Sequence, residues 1–121
     1  MSQEEKRRSD RVIPAISEEE AVLVGIGSEK PVLAKLIDFS ELGMLVYLLA
    51  QLPEELALDM PCKLTMYDQG AIFDVPSRVV RKTGHLVGFE FMELSQRALH
   101  NLQSKLIRME VEWLRLSKPA G

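Results

Sequence analysis

The chain has 121 residues, enough for one domain and too few for a second of ordinary size. Hydrophobic residues make up 46% and charged residues 27%, as in ordinary soluble globular proteins, and the net charge of −3 argues against a protein that neutralises many nucleic-acid phosphates. The single cysteine, Cys62, excludes an internal disulfide and a multi-cysteine zinc site. Residues 1–10 do not resemble a signal peptide, and the longest apolar run, residues 44–50, is far shorter than the roughly 20 residues that cross a bilayer. We therefore expect a cytoplasmic protein.

Positive charge is concentrated at the N-terminus. Residues 1–11 contain Lys6, Arg7, Arg8 and Arg11 against three acidic residues, whereas the rest of the chain holds 11 basic and 15 acidic residues. No hydrophobic residue follows the initiator methionine in this stretch, so it cannot pack on a core unaided. We expect residues 1–11 to form a flexible arginine-rich arm, whose cations suit a small anion better than a polymer.

Residues 12–94 show the pattern of one β-strand after another. Residues 12–16 include Pro14 and predict an extended lead-in at a sheet edge. Residues 52–61 read as a loop, and Asp68-Gln69-Gly70 is a hairpin signal. We predict six or seven antiparallel strands that close into a barrel, because closure removes exposed edges. The predicted strands cover residues 21–26, 32–39, 44–50, 62–67, 71–74 continued at 79–82 after an irregular step at Pro76, and 85–92.

Residues 95–118 predict one long amphipathic helix of the same domain. Ser95 is a suitable N-cap, and no glycine or proline follows until Pro119. The default interpretation is a monomer whose apolar helix face docks on the barrel. The alternative is a coiled-coil homodimer through Leu102, Leu106, Met109 and Trp113. The apolar stripe itself, with spacings of 3, 4, 3, 4 and 3, is formed by Leu99, Leu102, Leu106, Met109, Trp113 and Leu116.

Enzyme templates are missing from the sequence. His85 and His100 fall on different predicted elements, without a second ligand at metal spacing. Cys62 reads as a buried structural thiol, and the acidic run at residues 18–20 reads as a solvated loop. No phosphate loop, dinucleotide loop or nucleophile elbow is recognisable. We therefore expect neither catalysis, nor a metal, nor a cofactor.

Two groups of residues could bind a ligand. Arg7 and Arg11 stand four apart, and guanidinium groups pair bidentately with phosphates or with the O6/N7 edge of guanine, although a solvated tail has the same composition. Asp38 and Ser40 stand two apart at a predicted strand end, on the same side of the sheet, while Phe39 faces inward with Ile37.

The corner formed by residues 38–43 can be read in two ways. A carboxylate that accepts from guanine N1 and N2, beside the Ser40 hydroxyl, makes a base-reading edge, with Gly43 allowing a tight or left-handed turn. The same residues also suit an ordinary hairpin corner, since Asp and Ser are turn formers.

Together, the Arg-x-x-x-Arg arm, one strand, and Asp-x-Ser-x-x-Gly at a strand corner resemble the PilZ family, the bacterial receptors for cyclic di-GMP. Residues 86–91 (Leu-Val-Gly-Phe-Glu-Phe) are similar to the last barrel strand of that family, and a helix follows them. The resemblance implies a six-stranded antiparallel barrel with a C-terminal helix, no catalysis, and control of motility, adhesion or exopolysaccharide through a downstream protein.

The resemblance also implies roles for individual residues. The resemblance is compatible with one or with two bound ligand molecules, and it makes Lys6, just ahead of the motif, an auxiliary candidate. The open alternatives are a PilZ-like adaptor that binds no nucleotide, and a small RNA- or DNA-binding barrel, which the acidic body and scarce aromatics disfavour. The residues implied to bind cyclic di-GMP are Arg7, Arg8 and Arg11 of the arm and Asp38, Ser40 and Gly43 of the barrel.

Overall fold

A computed structural model describes residues 12–15, 20–26, 30–49 and 56–117. Within these ranges every strand pairing is antiparallel, and one helix follows the strands. The strands are β1 (Ile13–Pro14), β2 (Ala21–Gly25), β3 (Val32–Phe39), β4 (Gly43–Leu48), β5 (Pro61–Asp68), β6 (Ala71–Thr83) and β7 (Leu86–Phe91), and the helix is α1 (Gln96–Ser117).

Six of the strands form a closed ring. The sheet runs β3–β2–β5–β6–β7–β4, and β4 pairs back onto β3. The two-residue β1 is an additional strand that continues the β2 edge of β3, with Ile13 opposite Phe39 and Pro14 opposite Asp38. The predicted antiparallel barrel followed by a single long helix is confirmed.

The barrel interior is filled by alternate residues of each strand. In β5, Leu64 and Met66 are buried, whereas Lys63 and Tyr67 are exposed. Cys62 is buried at the start of the same strand, as predicted, and burial raises the pKa of its thiol. One contiguous hydrophobic cluster therefore joins the strands and extends to the inner face of α1.

Within the described strands, two register shifts interrupt the alternation. The pairing of β3 with β4 shifts between Leu36 and Asp38. Leu36 before the shift and Phe39 after it are buried, three residues apart, and Ile37 between them is only half-buried. The prediction that Ile37 and Phe39 share an inward face is wrong because it assumed unbroken alternation. In β6 the shift lies between Val79 and Arg81. The strand runs unbroken through the exposed Pro76, where the sequence suggested an irregular step.

Helix α1 begins where the sequence indicates and docks through the middle of its predicted stripe. The Ser95 hydroxyl accepts a hydrogen bond from the backbone N–H of Ala98 at 3.1 Å. Leu102, Leu106 and Met109 are buried in the cluster that includes the barrel core. These three side chains are therefore covered by their own barrel and cannot form the homodimer seam considered above.

Toward its C-terminal end, α1 approaches the short strand β1. Trp113 is partly exposed, and it shares a shallow cavity with Val12, Ile13 and Pro14. The helix thus borders the segment that directly follows the predicted arm.

An ion cluster of Glu20, Asp68, Lys105 and Arg108 also fastens α1 to the barrel. The Lys105 ammonium donates to Glu20 Oε2 at 2.6 Å and to the backbone oxygen of Tyr67 at 3.1 Å. The Arg108 guanidinium donates to Glu20 Oε1 at 2.8 Å and to Asp68 Oδ1 at 2.5 Å. The interpretation of residues 18–20 as a solvated run is wrong for Glu20, because both of its carboxylate oxygens are held by cations of α1.

The ion cluster shifts the pKa values of Glu20 and Arg108. Burial by itself raises the pKa of Glu20, but the hydrogen bonds and charges of Lys105 and Arg108 outweigh burial and lower that pKa below its ordinary value. Burial opposes the charge of Arg108, whereas its bonds to Glu20 and Asp68 raise its pKa. Both groups are therefore held in their charged forms.

Candidate ligand-binding site

A surface cavity of about 390 Å³ lies where the residue before β1, the β3–β4 corner, β6 and β7 meet. Asp38, Ser40 and Gly43, the three barrel residues of the sequence motif, all line it. Val12 lines the same cavity from the N-terminal side. The structure therefore brings the strand-corner motif together with the residue that follows Arg11 in the sequence.

Ser40 holds the corner. It is buried, and its hydroxyl accepts hydrogen bonds from the backbone N–H groups of Leu42 and Gly43 and donates to the backbone oxygen of Gly43, each at 3.2 Å. Its backbone N–H donates to the same Gly43 oxygen at 2.9 Å. The side chain that the sequence placed as a base-reading hydroxyl is thus engaged in the turn.

Gly43 is required for a close approach between strands. It lies opposite Glu90 of β7, and a Cβ atom built on it would collide with the backbone oxygen of Phe89. Its φ angle is outside the left-handed region, which Gly70 and Gly84 occupy. The left-handed turn considered from the sequence is therefore wrong, and the glycine is explained by the backbone of β7 packed against it.

Asp38 lines the cavity at the end of β3. Its side chain is half-buried, it follows the β3 bulge, and it lies in register with Pro14 on one side and with Leu45 on the other. The register shift lies just before this residue, and Asp38 lines the cavity while Phe39 enters the core.

Arg81 is a cavity residue that the sequence argument missed. It is exposed on β6, directly after the register shift, and its side chain crosses Gly88 of β7. A Cβ atom on Gly88 would lie 3.1 Å from Arg81 Cβ and 3.9 Å from Arg81 Cδ. The glycine leaves room for the arginine, and this pairing depends on a bulge that no local sequence signal indicates.

Negative charge on the cavity rim is partly neutralised within the barrel. Glu90 accepts from Arg78 Nη2 at 2.9 Å and from Arg78 Nε at 3.2 Å. Arg81 lines the same cavity as Asp38 and Glu90 and adds a further cation to its lining. A site with both carboxylate acceptors and guanidinium donors can bind a ligand that carries amide-like donors and anionic oxygens.

Neither histidine stands in a recognisable chemical site. His85 lies in the turn before β7, where its ring stacks on Tyr47, and His100 lies on α1. Across residues 12–15, 20–26, 30–49 and 56–117, no three His, Cys, Asp or Glu side chains lie close enough to hold a metal ion. In those same ranges, the structure contains no helix that could span a membrane.

The sequence profile of the PilZ domain matches residues 5–108. The chain belongs to the PilZ domain family. Its fold is similar to a PilZ domain with c-di-GMP of YcgR from Escherichia coli (TM-score 0.74, 20% identity, covering 88% of this chain and 93% of that one). It is also similar to the PilZ domain of CeSA from a cellulose-synthesizing bacterium (TM-score 0.69, 19% identity, covering 83% and 98%).

This PilZ domain also aligns with YcgR of Escherichia coli in complex with c-di-GMP, at a TM-score of 0.59 and 22% identity. It covers 47% of that chain, so it corresponds to about half of that YcgR molecule, while 88% of its own length is aligned. No curated protein matches the sequence significantly. The remaining predicted site residues of this PilZ domain, Lys6, Arg7, Arg8 and Arg11, lie outside the described residues.

Proposed function

We propose that this PilZ domain is a cytoplasmic receptor for cyclic di-GMP that catalyses no reaction. Binding would draw the predicted arm onto the cavity and change the surface presented to a downstream protein, in control of motility, adhesion or exopolysaccharide. The observation that carries the proposal is that Val12, the residue after Arg11, lines the same cavity as Asp38. The two solved YcgR structures with c-di-GMP support the ligand.

The barrel supplies the guanine-reading part of the proposed site. A half-buried carboxylate at Asp38 can accept from guanine N1 and N2 and discriminates against bases that lack these donors. Ser40 and Gly43 support this role indirectly, since they hold the corner from which Asp38 projects. Arg81 of β6 adds a cation to the lining of the same cavity.

The arm supplies the phosphate-binding part. The ligand is a dianion with two guanines, so it needs several cations, and we assign Arg7 and Arg11 to its phosphates and guanine Hoogsteen edges. Arg8 and Lys6 are assigned auxiliary contacts. Covalent geometry limits the reach: four residues from Arg11 to Arg7 span at most about 14 Å. Ordering the arm costs free energy and couples binding to surface shape.

Calorimetric titration tests the proposal. We expect a dissociation constant near a micromolar for cyclic di-GMP, about −8 kcal/mol, and much weaker binding of GTP and cyclic GMP. Arg11→Ala should weaken binding by about 2 kcal/mol, roughly 30-fold, because charge-assisted hydrogen bonds are lost. Asp38→Ala should lose a comparable amount. Arg97→Ala, which removes an exposed arginine of α1, is the matched control. Undiminished binding by Arg11→Ala would refute the arm assignment.

A second candidate function is a PilZ adaptor that binds no nucleotide. It is favoured by the hydrogen bonds of Ser40, which give the strand-corner motif a purely structural reason to exist. An NMR titration separates the two functions: the arm resonances shift with cyclic di-GMP if the domain is a receptor, and they stay in place if it is an adaptor.

A further inference from the structure

Glu90 of β7 lines the candidate ligand-binding cavity together with Asp38. Among the residues that the structure describes, no third carboxylate borders this cavity. The proposed ligand carries two guanines, and the N1 and N2 atoms of each guanine present hydrogens to an acceptor. Asp38 is assigned to one guanine, so the ligand has a second base edge for which the sequence motif provides no acceptor.

The strand register places Glu90 at the β3–β4 corner. Glu90 lies opposite Gly43, the last residue of the sequence motif. The next residue of the chain, Phe91, donates its backbone N–H to the backbone oxygen of Leu42 at 2.8 Å. The backbone on both sides of the Glu90 side chain is therefore tied to the corner that carries the motif.

The same register gives the separation between the two acidic residues. Asp38 pairs with Leu45 of β4, and Leu45 pairs with Gly88 of β7, two residues before Glu90. Two strand spacings of about 4.8 Å and one two-residue step of about 6.7 Å place the Cα atoms of Asp38 and Glu90 about 12 Å apart. A cyclic dinucleotide carries its two bases on separate sugars, so one molecule can present one base to each carboxylate.

Arg78 of β6 fixes the Glu90 carboxylate by one of its two oxygens. Arg78 Nη2 and Nε both donate to Glu90 Oε1, at 2.9 Å and 3.2 Å. No hydrogen bond from the described part of the chain reaches the other oxygen, Oε2, and 45% of the Glu90 side chain is exposed. The cation also offsets the charge of Glu90, which reduces its repulsion of a ligand phosphate. Glu90 is therefore a positioned acceptor with one oxygen left to bind a donor.

We propose that Glu90 is a specificity-determining residue that accepts hydrogen bonds from the second guanine of cyclic di-GMP, with Arg78 as its positioning residue. This inference rests on the proposed function. An ionised carboxylate accepts and cannot donate, so it matches the two donors of guanine. It repels adenine, which has a lone pair on N1 where guanine has a hydrogen. Glu90 thus selects a ligand with two guanines over a ligand with one.

Calorimetric titration with two cyclic dinucleotides tests the role of Glu90. Cyclic GMP–AMP replaces one guanine by adenine, so its guanine can meet Asp38 while its adenine meets Glu90. The wild type should bind cyclic di-GMP at least about tenfold more tightly than cyclic GMP–AMP, the discrimination that one good polar pair provides.

The substitution Glu90→Gln should remove this preference. Arg78 donates to Oε1 and so holds the amide oxygen, which leaves the amide N–H group to face the ligand. That group opposes the donors of guanine and can donate to adenine N1, so the preference should fall below about threefold. Glu93→Gln, which removes the same charge from an exposed residue just after β7, is the matched control and should keep the preference of the wild type.

Variants of Arg78 test its positioning role. Arg78→Met leaves Glu90 charged but no longer fixed, so the preference for cyclic di-GMP over cyclic GMP–AMP should decrease. Arg78→Lys, which keeps the charge and one donor, should restore part of it. A pair that only stabilises the barrel would change the thermal unfolding midpoint and leave the preference unaltered, and that result would remove Arg78 from the proposal.

The outcomes separate this inference from the proposed function. If the wild type binds cyclic di-GMP but shows no preference over cyclic GMP–AMP, or if Glu90→Gln keeps the preference, the role of Glu90 is overturned and the receptor function stands. If the wild type binds neither cyclic dinucleotide, both are overturned.

Discussion

Lys105, with only 1% of its side chain exposed, donates a 2.6 Å hydrogen bond to Glu20, 85 residues earlier in the chain. This contact fastens the middle of α1 to the residue before β2. Arg108 holds the second carboxylate oxygen of Glu20, so one acid is shared by two cations one helical turn apart. A buried ammonium is tolerated because this carboxylate and the Tyr67 backbone oxygen both face it.

The Lys105–Glu20 pair predicts a non-additive mutational cycle. Glu20→Leu leaves the Lys105 ammonium buried without its counter-ion, and we expect a loss of about 3–5 kcal/mol in the free energy of unfolding. The double variant Glu20→Leu/Lys105→Met should recover most of that loss, since no unpaired ammonium remains. Urea unfolding followed by circular dichroism measures both. A double variant as unstable as Glu20→Leu alone would contradict this account.

The lowered pKa of Glu20 predicts a pH dependence of stability. Its contribution is fully present above its ordinary pKa of about 4.5 and is lost as the pH falls through the lower folded value. The difference in unfolding free energy between the wild type and Glu20→Gln should therefore be constant near pH 7 and shrink toward pH 3. Leu106→Ala, which removes no titrating group, should show a difference that does not follow this trend.

A substitution at Gly43 should destabilise the fold by a steric clash and not through its φ angle, which lies outside the left-handed region. Gly43→Ala places a methyl group against the Phe89 backbone oxygen, which cannot move without breaking the β4–β7 pairing. We expect a loss of about 3 kcal/mol or more, or failure to fold, by thermal unfolding. Gly70→Ala is the control: its φ is +87° but no atom obstructs a Cβ, so the expected cost is about 1–2 kcal/mol. Equal costs would argue against the close approach.

Arg81 lies outside the sequence motif, but its substitution should lower the affinity for cyclic di-GMP. If cyclic di-GMP occupies the cavity, Arg81→Ala should weaken its binding about tenfold or more, because a charge-assisted contact is lost. Stability should change little, since the side chain is exposed. Lys63→Ala, which removes an exposed cation from the outer face of β5, should bind normally by calorimetry. A normal affinity for Arg81→Ala would remove this residue from the proposed site.

Local chemistry explains which parts of the fold were predictable. The strand at residues 62–67 and the cap at Ser95 were predicted from short-range signals, and both are present in the structure. The bulge after Leu36 depends on the register of a neighbouring strand, so alternation within β3 alone assigned Ile37 to the wrong face. Lys105 was overlooked for a similar reason, because its counter-ion comes from the other end of the chain.

The candidate site, like the fold, could be predicted from the sequence only in part. The motif residues Asp38, Ser40 and Gly43 could be located from their spacing, and they do share one cavity. Their individual structural roles could not be predicted, because the hydrogen bonds of Ser40 and the backbone packed against Gly43 are tertiary features. Arg81 lines the cavity because of the β6–β7 register, which no residue pattern in the sequence predicts.

The position of Trp113 gives this protein an intrinsic optical reporter. It is the chain's single tryptophan, and it shares a cavity with the strand that leads out of residues 1–11. Any event that shifts β1 alters the polarity around the indole and therefore its emission. Ligand titrations can accordingly be followed by fluorescence in the unlabelled protein, with no dye attached near the arginines of the arm.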